Sequence, residues 1–170
     1  KYGVGVTSGA SAFVEANYFR STSAMRPMMS SLQGTDAKGE GTFSGEEGGI
    51  IKSFGNVYDG DDVRLITYGQ NAESFDCYEA SSRTERVPSS VVTLVGGNTY
   101  NNFDTAADFY AYSADSPEEA VQKVLKYAGR VGGGDFSWEF DDGEDGNYDV
   151  IPELKAALEG YTGSLVKVGG

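Results

Sequence analysis

Residues 116–128 read SPEEAVQKVLKYA, and this stretch carries the clearest secondary-structure signal in the sequence. Ser116 suits an N-cap, Pro117 suits the first helical position, and Glu119 completes a Ser-x-x-Glu capping box. Apolar residues then recur at helical spacing, at Val121, Val124, Leu125 and Ala128. The stretch therefore predicts an amphipathic helix that ends before Gly129, where glycine favours a helix stop.

Short β-favouring runs lie upstream of this helix. They are rich in Val, Ile and aromatic residues, and clusters of Gly, Asp and Asn separate them, which is typical of strands joined by turns. The runs are residues 49–54 (GIIKSF), 63–68 (VRLITY), 75–79 (FDCYE), 90–95 (SVVTLV) and 108–113 (DFYAYS).

Downstream of the helix, the sequence predicts a strand at residues 136–140 (FSWEF), a helix over residues 152–159 and a closing strand at 164–168. The order is therefore a series of strands, followed by helix, strand, helix and strand. This order favours an α+β fold in which an antiparallel or mixed sheet carries two short helices on one face.

The first part of the chain is rich in Gly, Ser and Thr and lacks clear periodicity over residues 33–49. It predicts a loop-rich N-terminal arm over residues 1–47, followed by a single α+β domain over residues 48–170. Flexible Met side chains suit adaptable contact surfaces, although core packing is the other interpretation. The candidate partner-binding residues of the arm are Phe13, Tyr18, Phe19, Met25, Met28 and Met29.

The chain is strongly acidic, with 26 acidic and 13 basic residues and a formal net charge of −13. Phosphate backbones and anionic lipid surfaces are repelled by a field of that sign, so nucleic acid is excluded as a partner. The acidity indicates either solubility or a basic partner surface. No apolar run approaches the ~20 residues that span a bilayer, so membrane insertion is not expected.

The chain contains no histidine and a single cysteine, Cys77. These counts remove the usual general base, the Ser–His and Cys–His nucleophile pairs, and any disulfide within the chain. The acidic stretch 141–149 fails the EF-hand pattern at Gly143 and at Pro152, so no metal site is predicted. The sequence favours a non-enzymatic protein, and a carboxylate-dependent hydrolase is the catalytic alternative.

The segment from Asp108 to Phe140 runs from a strand through the capped helix to a second strand. It resembles the small β-α-β linker domain of phycobilisome rods, and residues 127–131 (YAGRV) correspond to the turn that ends the helix in that family. The resemblance implies a non-catalytic linker or assembly subunit that binds other protein subunits of a photosynthetic light-harvesting antenna. It also implies a thylakoid-associated plastid location, and the acidic charge favours a peripheral or photosystem-associated position.

Cys77 has two interpretations. A lone cysteine is most often a small buried apolar residue. Under the resemblance to antenna linkers, Cys77 is instead a candidate cofactor-binding residue that carries a covalent bilin, with Arg83 or Arg86 pairing with the bilin propionates.

An extracellular or surface binding module for carbohydrate or protein is the alternative function. Phe136, Trp138 and Phe140 alternate along one predicted strand, so their side chains would share one face of the sheet. An exposed face of this kind would be a stacking platform for a ligand, whereas a buried one would be core.

Overall fold

The computed structural model describes residues 2–36, 44–127 and 152–160. The chain divides into two compact units, Lys1–Pro117 and Glu118–Gly170. This division differs from the boundary between residues 47 and 48 that the sequence predicts. Short strands and two 3-10 helices, Gly34–Asp36 and Phe103–Thr105, make up the regular structure in the described part of the first unit, and the described part of the second unit is helical.

Seven short strands lie in the described part of the first unit, and every pairing between them is parallel. β1 pairs with β4, β3 pairs with β6, and β5 lies between β2 and β7. The strands are β1 (Tyr2–Val6), β2 (Ala12–Glu15), β3 (Tyr18–Arg20), β4 (Arg26–Ser30), β5 (Ile51–Phe54), β6 (Val57–Asp59) and β7 (Tyr78–Glu79).

The strand order repeats along the chain. β1, β2 and β3 form a first turn, and β4, β5 and β6 follow in the same order and lie beside them. A third turn begins where Val63 bridges to Met25 and continues to β7, which pairs with β5. A chain that coils in this way, with each strand stacked parallel on its counterpart about 4.8 Å away, is a β-solenoid.

The predicted antiparallel or mixed sheet is therefore wrong, and so is the loop-rich N-terminal arm, because residues 2–36 contain four strands. The strands are too short to show a clear alternation of apolar and polar residues. Their partners are also distant in sequence, as in the pair Ala12 and Ile51. Local patterns carry little information about such pairings.

The other predicted strands are confirmed only in part. The run 49–54 contains β5, and the run 75–79 ends in β7. The runs 63–68 and 90–95 form isolated bridges only, and 108–113 is not a strand. The predicted strands at 136–140 and 164–168 lie outside the described residues.

Matching two-residue turns connect β2 to β3 and β5 to β6. The first residue of each turn, Ala16 or Gly55, has a left-handed backbone with φ of 54° or 63°. An asparagine follows in both turns. The Asn56 side-chain oxygen accepts a hydrogen bond from the backbone N–H of Asn17 at 2.8 Å, and its side-chain nitrogen donates to the carbonyl of Val14 at 2.9 Å. These hydrogen bonds hold the loop at residues 55–56 against the loop at residues 16–17, and so they join the second turn of the solenoid to the first.

Two groups of buried apolar side chains hold the first unit together. The interior of the solenoid contains Val6, Val14, Phe19, Met28, Ile51 and Cys77. A second cluster, which joins the solenoid to the loops that follow it, contains Ile50, Phe75, Val87, Val91 and Tyr100. Burial of apolar area at this scale is the main favourable term in folding.

Both predicted helices are confirmed: α1 covers Pro117–Tyr127 and α2 covers Pro152–Glu159, and all their residues except Pro117 belong to the second unit. Several apolar side chains on these helices, including Val124, Leu125 and Leu158, are exposed. No helix in the described part of the chain has the length and apolar character needed to cross a membrane.

Candidate functional site

A buried ion pair ties the loops after β7 to the solenoid. Lys52 of β5 donates from Nζ to Oδ2 of Asp104 at 2.7 Å and to the carbonyl of Arg83 at 2.8 Å. Tyr100 donates its hydroxyl to the other carboxylate oxygen of Asp104 at 2.6 Å. Burial and this hydrogen bond raise the pKa of Tyr100, so the hydroxyl remains a donor. The backbone near residue 83 and the turn that carries Asp104 are therefore fixed to one point of the sheet.

The loop over residues 81–87 is closed by Glu85. Its carboxylate accepts hydrogen bonds from the Ser81 hydroxyl, the Ser81 backbone N–H at 2.7 Å, and the Tyr78 hydroxyl. These bonds stabilise the ionised form and lower the pKa of Glu85 to about 2. The loop presents Arg83 on one side of Glu85 and Arg86 on the other.

The hydrogen bonds of Glu85 predict a stability difference that depends on pH. The folded-state pKa of about 2 lies below the ordinary value of 4.5. The carboxylate therefore contributes stability that is fully present above about pH 4.5 and is lost as the pH falls towards 2. We expect the thermal midpoint of Glu85→Gln to lie below that of the wild type at pH 6 and to converge with it near pH 2. Glu73→Gln, which changes an exposed carboxylate, is the control. Its thermal midpoint should fall between pH 4.5 and 2 as that of the wild type does.

Arg83 lies among aromatic rings and beside a carboxylate. Its guanidinium carbon is 4.7 Å from the ring centre of Tyr112, and 5.6 Å from those of Phe13 and Phe109. Its Nε is 3.3 Å from a carboxylate oxygen of Glu15 in β2. Cation–π contacts of this geometry contribute about 0.5–2 kcal/mol each. Arg83 therefore helps to hold the segment around residues 109–112 against the side of the solenoid.

Three aromatic side chains of this segment form a cluster, in which Phe109 is half-buried and the two tyrosines are exposed. The rings of Phe109 and Tyr110 stack at 4.8 Å between centroids, and Tyr112 lies 5.5 Å from Tyr110. Tyr110 is 72% exposed and Tyr112 is 42% exposed. Large aromatic side chains are usually more buried than this, so the cluster is a candidate contact surface.

A groove made up of neighbouring depressions lies beside the aromatic cluster. Three adjoining depressions, with volumes of about 230, 630 and 340 Å³, share lining residues with their neighbours. The two larger volumes, about 630 and 340 Å³, fall within the range of about 300–1,000 Å³ that is typical of small-ligand sites. Polar and aromatic side chains line the largest depression, namely Arg86, Asn101, Asn102, Phe103, Asp108 and Tyr110.

Local hydrogen bonds hold the polar side of the groove in place. The Asn102 side chain accepts a hydrogen bond from the Val87 backbone N–H at 2.7 Å and donates to the Val87 carbonyl at 3.2 Å. Arg86 donates from one terminal nitrogen to the Thr105 hydroxyl at 2.9 Å. The guanidinium of Arg86 is exposed, so its other N–H groups face the groove or water.

The candidate partner-binding residues do not form one exposed surface. Met28, Met29 and Phe19 are buried in the solenoid, and the remaining three are half-buried. Tyr18 of β3 donates its hydroxyl to Asp59 at 2.8 Å. Phe13 and Tyr18 both lie on strands of the first turn. Partner binding by these residues stays a prediction.

Cys77 lies in the core of the solenoid, where its side chain has no exposed surface. Burial, reinforced by the nearby carboxylates Glu79 and Asp76, raises the pKa of the Cys77 thiol to about 12. The thiol is therefore protonated at neutral pH, which disfavours nucleophilic attachment chemistry. Bilin attachment at Cys77 stays a prediction, and it would require the core to open.

The described residues contain no group of three or more acidic or cysteine side chains that could hold a metal ion. The acidic stretch 141–149 and the predicted aromatic face with Phe136, Trp138 and Phe140 lie outside those residues.

Sequence reasoning missed the aromatic groove. Its cluster lies in the run 108–113, which was predicted as a strand, and Arg83 and Arg86 were considered only as partners of a bilin. The signal was present as three aromatic residues within four positions, Phe109, Tyr110 and Tyr112. Their exposure could not be deduced, because it depends on Arg83 and Glu15, which are distant in sequence.

The described first unit is thus a parallel β-solenoid with an aromatic and polar groove on its side. No family model, curated protein or solved structure matches the chain.

Proposed function

We propose that the chain is a surface binding module that holds a carbohydrate in the groove beside Tyr110. The observation that carries the proposal is the exposed aromatic cluster next to a line of amide and guanidinium groups. A sugar ring has an apolar face, which stacks on an aromatic ring, and a rim of hydroxyls, which exchange hydrogen bonds with polar side chains.

The shape of the groove supports an extended ligand. The three depressions follow one another from Pro88 to Tyr112, so a chain of several sugar units could contact all of them. Asn101 and Arg86 offer donors along this path, and Asp108 offers acceptors. The buried Lys52–Asp104 pair fixes the backbone beneath the groove. Less conformational entropy is therefore lost when a ligand binds.

Replacing Tyr110 by alanine tests this proposal. We expect the variant to bind oligosaccharides about tenfold or more weakly, because it loses the ring on which the apolar face of the sugar stacks, and a tenfold change corresponds to about 1.4 kcal/mol. Tyr110→Phe keeps the ring and should retain most of the affinity. A glycan array identifies the ligand, and isothermal titration calorimetry then measures the affinity of each variant.

Leu94→Ala is the matched control for this experiment. Leu94 is an exposed apolar residue of the same unit, 58% exposed, and it does not line the groove. Its removal should leave the affinity unchanged. An array without any bound glycan, or equal affinities for the wild type and Tyr110→Ala, would contradict the proposal.

The second candidate function is that of a non-catalytic assembly or linker subunit. In its most specific version, the chain belongs to a light-harvesting antenna complex of the plastid. The observation that favours it is the first turn of the solenoid, since no described strand lies beyond β1, β2 or β3. Edge strands of this kind are ready templates for pairing with another polypeptide. The absence of histidine from the sequence supports a non-enzymatic role in both proposals.

A further inference from the structure

Lys52 and Asp104 bring an amine and a carboxyl group together out of contact with water. Nζ of Lys52 lies 2.7 Å from Oδ2 of Asp104, and both side chains are 0% exposed. The centre of the Phe13 ring is 4.9 Å from Nζ, so an apolar surface covers the amine on one side. Two groups held together in this way avoid the loss of entropy that a reaction between separate molecules requires. The arrangement therefore suits a reaction between the two groups as well as an ion pair.

The other polar contacts of the pair are those that an amide needs. Nζ also donates to the carbonyl of Arg83 at 2.8 Å, and Oδ1 of Asp104 accepts from the hydroxyl of Tyr100 at 2.6 Å. An amide between Nζ and Cγ has one N–H, which can donate to the Arg83 carbonyl. It also has one carbonyl oxygen, Oδ1, which can accept from Tyr100. The atom that must leave is Oδ2, which faces Nζ. The amide thus removes two buried charges and keeps a partner for each polar atom that remains.

We infer that Lys52 and Asp104 condense in the folded chain to an isopeptide bond, with the release of one water molecule. Nζ first passes a proton to Oδ2, which gives the uncharged amine and carboxylic acid that a buried site favours. The lone pair of Nζ then attacks Cγ, and the Tyr100 hydroxyl stabilises the negative charge that develops on Oδ1. A second proton passes from Nζ to Oδ2, the Cγ–Oδ2 bond breaks, and water leaves. The third proton stays on the amide, so atoms and charge balance without a further reactant.

The isopeptide bond joins β5 to the turn that carries Asp104, 52 positions further along the chain. A covalent link of this kind restricts the unfolded chain as a disulfide does, and its formation requires no oxidant. The single cysteine, Cys77, cannot supply such a link within the chain. Until the bond forms, the ion pair alone holds these two parts together. After it has formed, the base of the groove stays attached to the solenoid even when salt or acid weakens ionic contacts.

Mass spectrometry of the wild-type chain, denatured after incubation in the folded state, tests the inference. We expect chains whose mass is lower than that of the sequence by one water molecule, and their fraction should rise with the time of incubation. Trypsin cleaves after Lys and Arg, but not after a Lys whose amine is acylated. The digest should therefore contain residues 39–64 joined to residues 87–123. Fragmentation of this branched peptide should place the link between Lys52 and Asp104.

Variants test the role of each group. Lys52→Met removes the amine and should keep its full mass. Tyr100→Phe keeps the ring but lacks the hydroxyl that stabilises Oδ1, so the bond should form about tenfold or more slowly. Tyr68→Phe is the control, because it removes a hydroxyl from another ring that packs against the same apolar cluster as Tyr100. It should condense at the wild-type rate.

Three results would overturn the inference. The first is a wild-type chain that keeps its full mass after long incubation in the folded state, with complete tryptic cleavage after Lys52. The second is a loss of water that persists in Lys52→Met, because that water would come from another site in the chain. The third is a branched peptide whose link lies at residues other than Lys52 and Asp104. Equal rates for Tyr100→Phe and the wild type would overturn the role assigned to the Tyr100 hydroxyl.

Discussion

Replacing Lys52 by methionine is expected to destabilise the first unit by about 3–5 kcal/mol, the usual result of removing one partner from a buried ion pair. The side chains of Lys52 and Asp104 are both 0% exposed, and the charged atoms are 2.7 Å apart. Methionine fills a similar volume, so the loss arises mainly from the carboxylate that remains buried without its cation. Equilibrium urea unfolding, with hydrogen exchange at β5, measures the change.

The pair formed by Arg64 and Asp62 is the matched control. Its atoms are 3.8 Å apart and its side chains are 70% and 53% exposed. We expect Arg64→Met to cost less than about 1 kcal/mol, because water screens exposed ion pairs. The double variant Lys52→Met/Asp104→Leu removes both charges and should lose less stability than Lys52→Met alone. Equal losses of unfolding free energy for Lys52→Met and Arg64→Met would show that the buried ion pair stabilises the fold no more than the exposed one does.

The Lys52 substitution also bears on the groove. Nζ of Lys52 binds the carbonyl of Arg83 as well as Asp104, and both segments line one of the depressions. We expect a folded Lys52→Met protein to retain the solenoid but to hold these loops less firmly. Ligand affinity should therefore fall even at temperatures at which the variant is still folded.

The second large effect is expected for Gly49→Ala. A Cβ at this position would lie 1.5 Å from the carbonyl oxygen of Ala10 and 2.5 Å from its carbonyl carbon. Both are backbone atoms of the first turn, so no rotation of a side chain relieves the overlap. The backbone must shift between β1 and β2, and we expect a loss of about 3 kcal/mol or more. Thermal unfolding followed by circular dichroism measures this loss.

Gly45→Ala is the control for that substitution. Nothing lies within 4 Å of the Cβ position at Gly45, and its φ is not in the left-handed region. Alanine there should be neutral or stabilise the protein by about 0.4–1 kcal/mol, because it restricts the unfolded chain. A Gly49→Ala protein as stable as Gly45→Ala would show that the close approach between Gly49 and Ala10 is absent in solution.

These two sites illustrate the limit of sequence reasoning for this chain. Gly45 lies in the stretch 33–49, which reads as loop, and Gly49 lies where that stretch meets the β-favouring run 49–54. Nothing local shows that the backbone of Ala10 approaches Gly49 closely whereas Gly45 lies in open space. Lys52 lies in a run that was correctly predicted to contain a strand. Its burial could not be predicted, because the carboxylate that compensates its charge is Asp104, far along the chain.

The candidate site shows the same limit. The aromatic residues of the groove and both arginines are visible in the sequence, but the segment that carries Tyr110 and Tyr112 is not the strand that its alternation predicts. A contact between Arg83 and the Tyr112 ring holds this segment against the solenoid instead. The six residues predicted to bind a partner are half-buried or fully buried. Phe19 and Met28 belong to the apolar interior of the solenoid, and Met25 packs against it.

The sequence by itself determined the two helices, which begin at Pro117 and Pro152, and the acidic, histidine-free composition that limits the available chemistry. Helix signals are local, because a capping residue and the groups it satisfies lie within one turn. Only the tertiary structure decided that the strands coil into a parallel β-solenoid with a groove on its side. Parallel pairing joins strands that are distant in sequence, and its free energy comes from contacts that exist only after the chain has coiled.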